Sequence, residues 1–289
     1  MIDPALVRRG ALEGVNVGIS VSDSEDLGRL GLNARHADLA IGEIARAVLI
    51  ARGRITYGGR LKPSGFTQQL MNEVRRYGTT RHSLTLCLAE PEHRDLDRGE
   101  LDQVDRQLGT WGRLVTLDAS GEPTAWREDH PEAPAPMTDA ERANAYSGLR
   151  RHLVQTTDAR VLVGGQLRDY KGSMPGVIEE ASLAVERGQS LYLAGGFGGA
   201  ATAVARTLDR SAFDWLPADL PLGGEDAGVV AALDRLADLS SASGWTIEQD
   251  GLTVEQRALL AASHRPGEIA SLVVLGLARA FATTSEPET

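Results

Sequence analysis

The sequence predicts an α/β fold in which helices flank a parallel sheet and a helical extension follows at the C-terminus. Short apolar segments rich in β-branched residues alternate with longer segments whose apolar residues recur every three or four positions. Strands that alternate with helices pair in parallel through right-handed crossovers, so helices cover both faces of the sheet. From Asp226 onward the pattern is that of helices alone. We expect one domain at residues 1–225 and an extension at residues 226–289 that packs on it.

The first half of the chain supplies four predicted strands and two predicted helices. Four apolar segments, each bounded by polar or glycine-rich turns, are the predicted strands at residues 15–22, 54–59, 83–89 and 113–118. The first helix covers residues 33–52, because its apolar residues fall on one face and Asn33 is a suitable N-cap. The second helix begins near Ser64 and ends at Gly78.

The second half repeats this pattern after a charged and proline-rich insertion at about residues 90–137. We interpret residues 90–109, which carry both signs of charge and precede the fourth strand, as a solvated helix or loop, and the proline-rich residues 121–142 as a linker-like segment or surface insertion. A helix follows at residues 138–155, with Thr138 as the N-cap and Glu141 at the capping-box position. Strands and helices then alternate at residues 159–165, 173–188, 190–196 and 197–208.

Composition excludes several classes of protein. The 40 acidic and 30 basic residues give a net charge of −10, which repels phosphate polymers and argues against nucleic-acid binding. The single cysteine, Cys87, lies in an apolar strand, so neither a disulfide framework nor a thiolate metal site is expected. The N-terminus lacks the layout of a signal peptide, and the apolar tract at residues 269–282 is too short for a bilayer. We expect a cytoplasmic protein.

Glycine pairs follow three of the predicted strands, namely Gly58 with Gly59, Gly164 with Gly165, and Gly195 with Gly196. The carboxyl ends of parallel strands lie at one edge of the sheet, where open α/β sheets bind their ligands. Glycine lets backbone amides approach an anion, and the helix after each pair supplies its N-terminal amides and the positive end of its dipole. Tight turns that need positive φ also explain such pairs. Their shared position favours one cleft for a nucleotide or a phosphate.

Other nucleotide chemistries lack their sequence signatures. No glycine-rich turn ends in Gly-Lys-Ser or Gly-Lys-Thr, so hydrolysis of ATP or GTP at a phosphate loop is not supported. Gly196, Gly198 and Ala201 satisfy the dinucleotide fingerprint in its Ala-ended form. The acidic residue expected about twenty positions further on is Asp214, which follows no predicted strand, so a hydride-transferring dehydrogenase is not favoured. Closely paired histidines and a Gly-x-Ser-x-Gly turn are also absent from the sequence.

Two carboxylates and two cations stand close to the predicted cleft. Glu179 and Glu180 fall in the first turns of a helix that begins there. A carboxylate in this place can accept ribose hydroxyls or stabilise a developing sugar cation, and it can equally complement the helix dipole. Both interpretations stay open for Glu179, and the dipole is favoured for Glu180. Lys171 and Arg168 precede this helix; they can neutralise a phosphate or be ordinary flexible cations of the surface.

Four segments in this order resemble the SLOG superfamily of Rossmann-like domains, which includes the SMF/DprA and LOG proteins, and in particular its TRPM-channel-like prokaryotic branch. They are ISVSDSEDLGRLGL, ITYGGRLKPSGFTQQL, VLVGGQLRDYKGSMPGVIEEA and LYLAGGFGGAATAV. The resemblance implies a Rossmann-like fold that binds a nucleotide or an NAD- or ADP-ribose-derived molecule, often as the sensor of an antiviral defence system. Carried over residue by residue, it implies ligand contacts at Ser20, Ser22, Gly58, Gly59, Gly65, Gly164, Gly165, Met174, Pro175, Gly176, Glu179, Gly195, Gly196, Phe197, Gly198 and Gly199.

One departure separates this chain from the LOG enzymes that it resembles, which release a base from a nucleoside monophosphate. Their loop is Pro-Gly-Gly-x-Gly-Thr-x-x-Glu, whereas this chain has Ala-Gly-Gly-Phe-Gly-Gly-Ala-Ala-Thr. Thr202 or Ala203 stands nearest the position of the glutamate. Glycosidase activity in this chain therefore requires Glu179 as the catalytic carboxylate.

We therefore expect a nucleotide-binding sensor, with a nucleoside or nucleotide N-glycosidase or transferase as the alternative. The suspected ligand is an ADP-ribose-like or NAD-derived nucleotide, and no metal is expected. The apolar helix at residues 268–281 is a candidate surface for a homo-oligomer, and an effector protein in trans is a candidate partner. Neither nucleic acid nor a membrane is expected as a partner.

Overall fold

The structure is a computed structural model that describes residues 7–61, 65–128, 135–209 and 219–282. Within those ranges the chain forms a six-stranded sheet of β1 (Asn16–Ser22), β2 (Arg54–Gly58), β3 (Leu84–Leu88), β4 (Gly112–Thr116), β5 (Ala159–Gly164) and β6 (Ser190–Ala194). All neighbouring strands are parallel, in the order β4-β3-β2-β1-β5-β6. The predicted α/β class, with a parallel sheet flanked by helices, is confirmed. Two positions used in the predictions, Ser64 and Asp214, lie outside the described residues.

The helices cover both faces of the sheet. In chain order they are α1 (Ala34–Ile50), α2 (Phe66–Tyr77), α3 (Glu90–His93), α4 (Arg98–Leu108), α5 (Asp139–Gln155), α6 (Gly176–Glu186), α7 (Gly199–Leu208), α8 (Ala227–Ser243), α9 (Val254–Ala262) and α10 (Pro266–Ala280). Because side chains alternate along a strand, Val161 and Val163 of β5 join the core beneath α1, α2 and α10, while Leu162 joins the core beneath α6, α7 and α8. Each face of the sheet therefore has its own apolar core.

Local capping explains where several helices begin. Oδ1 of Asn33 accepts a hydrogen bond from the backbone N–H of Arg35 at 3.0 Å, at the start of α1. At the start of α5, Oγ1 of Thr138 accepts from the N–H of Glu141 at 3.2 Å, and the Glu141 carboxylate accepts from the N–H of Thr138 at 2.8 Å. Both predicted N-caps are confirmed. The charged insertion contains two helices, α3 and α4, ahead of β4.

Cys87 is buried in β3, as its apolar surroundings predict. Burial raises the pKa of its thiol to about 12, so the thiol stays protonated at neutral pH. This cysteine belongs to the core beneath α5.

The helix predicted as an oligomer surface is used inside this chain. Ile269, Leu272 and Val273 of α10 are buried in the core that α1 and the sheet share. A face that is already packed against its own domain is not free to pair with a second copy, so the structure does not support an oligomer through these residues. Among the described helices, none is long and apolar enough to cross a membrane.

Candidate functional site

A cavity of about 290 Å³ opens at the carboxyl ends of the strands, beside β1. β1 lies where the strand order reverses, with β2 on one side and β5 on the other. In open α/β sheets the loops diverge at this point and leave a crevice for a ligand. The walls come from the ends of β1 and β2, the first turns of α1, α2 and α6, the loop before α6, and side chains of α3 and α5.

Two helix N-termini open into the cavity without a side-chain cap. Gly65 precedes α2 and Pro175 precedes α6. Neither residue has a side-chain acceptor, so neither helix receives a capping hydrogen bond from a side chain at this position. The first residues of both helices line the cavity. First-turn amides lack partners within their own helix, and together with the helix dipole they favour a bound anion. The N-terminus of α1, in contrast, is capped by Asn33.

Among the described residues, three cationic side chains line the same cavity: Arg60, Arg150 and Lys171. Arg150 forms an ion pair with Glu179 and donates a hydrogen bond to the carbonyl oxygen of Lys171 at 2.7 Å. Arg60 and Lys171 each lie 3.4 Å from one oxygen, Oε1 of Glu92. The cations come from three separate segments, so the fold rather than the local sequence brings them together.

Carboxylates line other parts of the cavity, among them Asp23, Asp38 and Glu180. Burial, and to a lesser extent the neighbouring charge of Asp23, raises the pKa of Asp38. Oε2 of Glu180 accepts hydrogen bonds of 2.5 Å from the Ser20 hydroxyl and from the Arg160 guanidinium. No hydrogen bond to Oε1 of Glu180 is formed within the described ranges, so this oxygen can accept one from a ligand hydroxyl.

Arg160 supports Glu180 from inside the sheet. Its side chain is fully buried in β5, and its guanidinium lies against Gly18 of β1, where a Cβ atom would come within 2.8 Å. Desolvation lowers the pKa of this guanidinium. A buried cation needs a paired anion, and Glu180 supplies it. The signal in the sequence is an arginine within an otherwise apolar strand: Arg160 of β5 lies opposite Gly18 of the neighbouring strand β1.

The family model described as SLOG cluster2 matches residues 11–256, which is most of the chain. The protein belongs to the SLOG superfamily. The resemblance predicted from the four segments is confirmed at this level, and membership indicates a nucleotide-related binding function. Placement in the TRPM-channel-like branch stays a prediction. A search of curated proteins found no match.

The ligand contacts predicted for this SLOG protein lie partly in the cavity. Those that line it are Ser22, Gly58, Gly59, Gly65, Lys171 and Gly176. Ser20 is buried beneath Glu180, and Met174 and Pro175 are not among the lining residues. Arg168 forms an exposed surface ion pair and does not reach the cavity.

Glu179, the predicted catalytic carboxylate, does not line the cavity of this SLOG protein. Its carboxylate pairs with Arg150, while Glu180, the next residue on α6, is a lining residue of the cavity. Successive residues of an α-helix point about 100° apart, so the two glutamates face different neighbours. The sequence left a ligand role and dipole complementarity both open for Glu179 and favoured dipole complementarity for Glu180; in the structure Glu180, and not Glu179, is a lining residue of the cavity.

Residues 195–199 of this SLOG protein, predicted as a third wall of the cleft, are buried and do not line the cavity. The backbone N–H of Gly199, at the start of α7, donates to Oδ2 of Asp26 at 2.6 Å. A Cβ atom at Gly196 would lie 2.2 Å from the carbonyl oxygen of Ser263. The glycines of this loop therefore permit close packing, and an internal carboxylate occupies the N-terminus of α7.

Gly164 and Gly165 form a tight turn after β5, with φ of 59° and 105°. A Cβ atom at Gly165 would lie 2.9 Å from side-chain atoms of Ala200 and Val177. Neither glycine lines the cavity. Backbone conformation and close packing account for this pair, so Gly58 and Gly59 form the one predicted glycine pair that lines the cavity.

Proposed function

We propose that this SLOG protein binds a nucleotide or an NAD- or ADP-ribose-derived small molecule in the cavity beside β1, and that it acts as a sensor for that molecule. The observation that carries the proposal is the pair of uncapped N-termini, those of α2 and α6, in the same cavity as Arg60, Arg150 and Lys171. Backbone amides, helix dipoles and cations together suit phosphate groups. Binding of the ligand in the cavity would be communicated to an effector protein, which is a separate chain.

The remaining lining residues suit a sugar and a base. Asp23, Asp38 and Glu180 offer acceptors to ribose hydroxyls or to an exocyclic amino group. Aromatic rings line the cavity at Tyr57, Phe66, Tyr146 and Tyr170. The volume of the cavity, about 290 Å³, is close to the lower limit for ligand pockets, whose volumes are about 300–1,000 Å³. This volume favours a moiety of mononucleotide size inside the cavity, with the rest of a longer ligand at its opening.

Calorimetric titration with ADP-ribose, cyclic ADP-ribose, NAD and AMP tests the proposal. At least one of these ligands is expected to bind the full chain, with an affinity that falls as salt concentration rises, because phosphate contacts are screened. Absence of binding by all four would defeat the proposal.

Two substitutions of Gly65 test whether a phosphate of the ligand binds at the N-terminus of α2. The backbone of Gly65 is extended, with φ −144° and ψ −177°, so any residue can adopt it. Gly65→Asp places a carboxylate at the N-cap of α2, where it caps the helix and repels a phosphate. Binding is expected to weaken by about tenfold or more, while Gly65→Asn, a neutral cap of the same shape, retains it. Equal affinities for the two variants would place the phosphate elsewhere.

A second candidate function is hydrolysis or transfer at an N-glycosidic bond, with Glu180 in place of Glu179. The specific observation is that Glu180 is a lining residue of the cavity and that Ser20 and Arg160 fix its carboxylate through one oxygen, Oε2. A carboxylate fixed in this way can stabilise a sugar cation that develops as the bond to the base breaks. Chromatography of AMP and NAD after incubation with the native chain tests this candidate. Without free base or ribose phosphate among the products, catalysis is excluded for these substrates.

A further inference from the structure

Four side chains from separate segments meet in the wall of the cavity: Arg60, Glu92, Tyr146 and Lys171. The Tyr146 hydroxyl donates to Oε1 of Glu92 at 2.5 Å. Arg60 and Lys171 approach this same oxygen, each at 3.4 Å. A carboxylate oxygen has two lone pairs, so it cannot bond well to three donors. Tyr146 holds the short bond, and the two cations are weakly bonded neighbours.

The cations have further donors that this cluster does not use. Within the described residues, the Arg60 guanidinium has no side-chain partner besides Glu92, and Lys171 adds one bond of 3.1 Å to the Tyr146 hydroxyl. Their side chains are 41% and 42% exposed, against 15% for Glu92. The single carboxylate thus stands among donors that exceed what it can accept, in the same cavity as the uncapped N-termini of α2 and α6.

We propose that Glu92 is a resident anion that occupies the subsite of a ligand phosphate and must be displaced from Arg60 and Lys171 when an anionic ligand binds. The proposal rests on the proposed function, because it assigns the phosphate end of that ligand to this cluster. It identifies Glu92 as a residue that determines specificity for charged ligands over neutral ones.

A phosphate satisfies this cluster better than the carboxylate does. It carries more negative charge and more acceptor oxygens, so Arg60, Lys171 and Tyr146 can each bond to it separately. Burial, followed by the hydrogen bond to Glu92, raises the pKa of the Tyr146 hydroxyl, which keeps it a donor at neutral pH. A neutral nucleoside brings no charge to this place and leaves Glu92 where it is. Glu92 therefore lowers affinity for every anion and excludes those that bind weakly.

A purely structural role for Glu92 predicts the opposite result. If Glu92 only positions the cations for the ligand, its removal releases them and weakens the binding of anions. If Glu92 competes with the ligand, removal of its charge strengthens the binding of anions. The sign of the change in affinity separates the two roles.

Titration of the full chain with inorganic pyrophosphate, with adenosine as the neutral probe, measures this sign. Glu92→Gln removes the charge and keeps an amide oxygen that can accept from Tyr146. Glu90→Gln on the same helix is the matched control, because Glu90 pairs with Arg94 and does not line the cavity. The dissociation constant for pyrophosphate is expected to fall about fivefold in Glu92→Gln, which is the size of effect expected from the charge of one partly exposed ion pair. In the control the dissociation constant is expected to stay unchanged. Adenosine is expected to bind the native and variant chains equally.

Thermal unfolding without ligand checks that Glu92→Gln folds, and Glu92→Ala replaces it if it does not. Pyrophosphate binding that is equal or weaker after removal of the charge overturns the proposal, as does an absence of pyrophosphate binding by every chain. The proposed function is judged separately, by the titrations of the native chain with nucleotides. If no nucleotide binds while pyrophosphate binds the variant more tightly, the proposed function fails and the anion subsite remains.

Discussion

Oδ2 of Asp26 accepts a hydrogen bond of 2.6 Å from the backbone N–H of Gly199, 173 residues further along the chain. Its other oxygen, Oδ1, accepts from the backbone N–H of Leu222 at 2.8 Å. Asp26 is fully buried. The carboxylate supplies the negative charge that a helix N-terminus favours, and it joins the loop after β1 to α7 and to the segment before α8. This internal hydrogen bond explains why residues 195–199 are packed against the rest of the fold and do not line the cavity.

Replacement of Asp26 by alanine is expected to destabilise the fold. The two backbone N–H groups would lose their acceptor in a buried place, and each unsatisfied group costs about 1–3 kcal/mol. We expect a loss of about 2–6 kcal/mol in the free energy of unfolding, measured in urea. Glu25→Ala, at the exposed neighbouring position, is the control and is expected to stay close to the native value. A loss below about 1 kcal/mol in Asp26→Ala would show that the contact contributes little.

The pair of Arg160 and Glu180 is expected to behave as one unit. Removal of the Glu180 charge leaves a guanidinium uncompensated in the sheet, at a cost of about 3–5 kcal/mol. The double variant Arg160→Met with Glu180→Gln is expected to recover part of this loss, because the buried charge is then gone as well. Urea unfolding of the two single variants and the double variant gives the coupling energy. Additive losses would mean that the two side chains are independent.

Local signals in the sequence were sufficient for the fold. The N-caps at Asn33 and Thr138 involve residues within three positions of one another, so they are visible in a short window. Alternation of strands with helices implied the parallel sheet, and the apolar run of β3 implied that Cys87 is buried. These features depend on propensity and period, which a single sequence contains.

The site depends on contacts that a short window does not contain. Glu92 and Tyr146 are 54 positions apart, and Asp26 and Gly199 are 173 apart. The sequence indicated where glycines end strands, but whether such a turn faces the cavity depends on what packs against it. At Gly196 the carbonyl of Ser263, from the segment before α10, fills that space. Arg60, Glu92, Tyr146 and Arg150 were missed because nothing in their own segments marks them.

Asp38 is expected to make stability depend on pH. Burial, and then the charge of Asp23, raises its pKa in the folded chain, so the folded state holds this proton more tightly than the unfolded state does. Its ionisation therefore disfavours folding: the effect is absent below the unfolded pKa of about 4 and complete once pH exceeds the raised value. Asp38→Asn removes this effect. We expect the melting temperature of the variant to exceed that of the native chain near neutral pH, with the difference shrinking as pH falls towards 4.

Differential scanning calorimetry from about pH 4 to pH 8 measures this difference. Asp234→Asn is the control, because Asp234 is exposed on α8. A constant difference across the range would show that Asp38 acts through packing and not through its charge.

The apolar side chains of α10 are expected to stabilise the monomer rather than an oligomer. Leu272 is 1% exposed and lies in the core shared with α1, so Leu272→Ala removes buried contacts and leaves a cavity, at a cost of about 2–5 kcal/mol. Ser271→Ala, one position earlier on the exposed face, is the control. Urea unfolding measures the cost, and sedimentation velocity measures the mass of both variants and of the native chain. Because the replaced side chain is buried in the core of its own chain, the mass is expected to stay the same in all three. A lower mass for Leu272→Ala with unchanged stability would assign this face to a subunit interface.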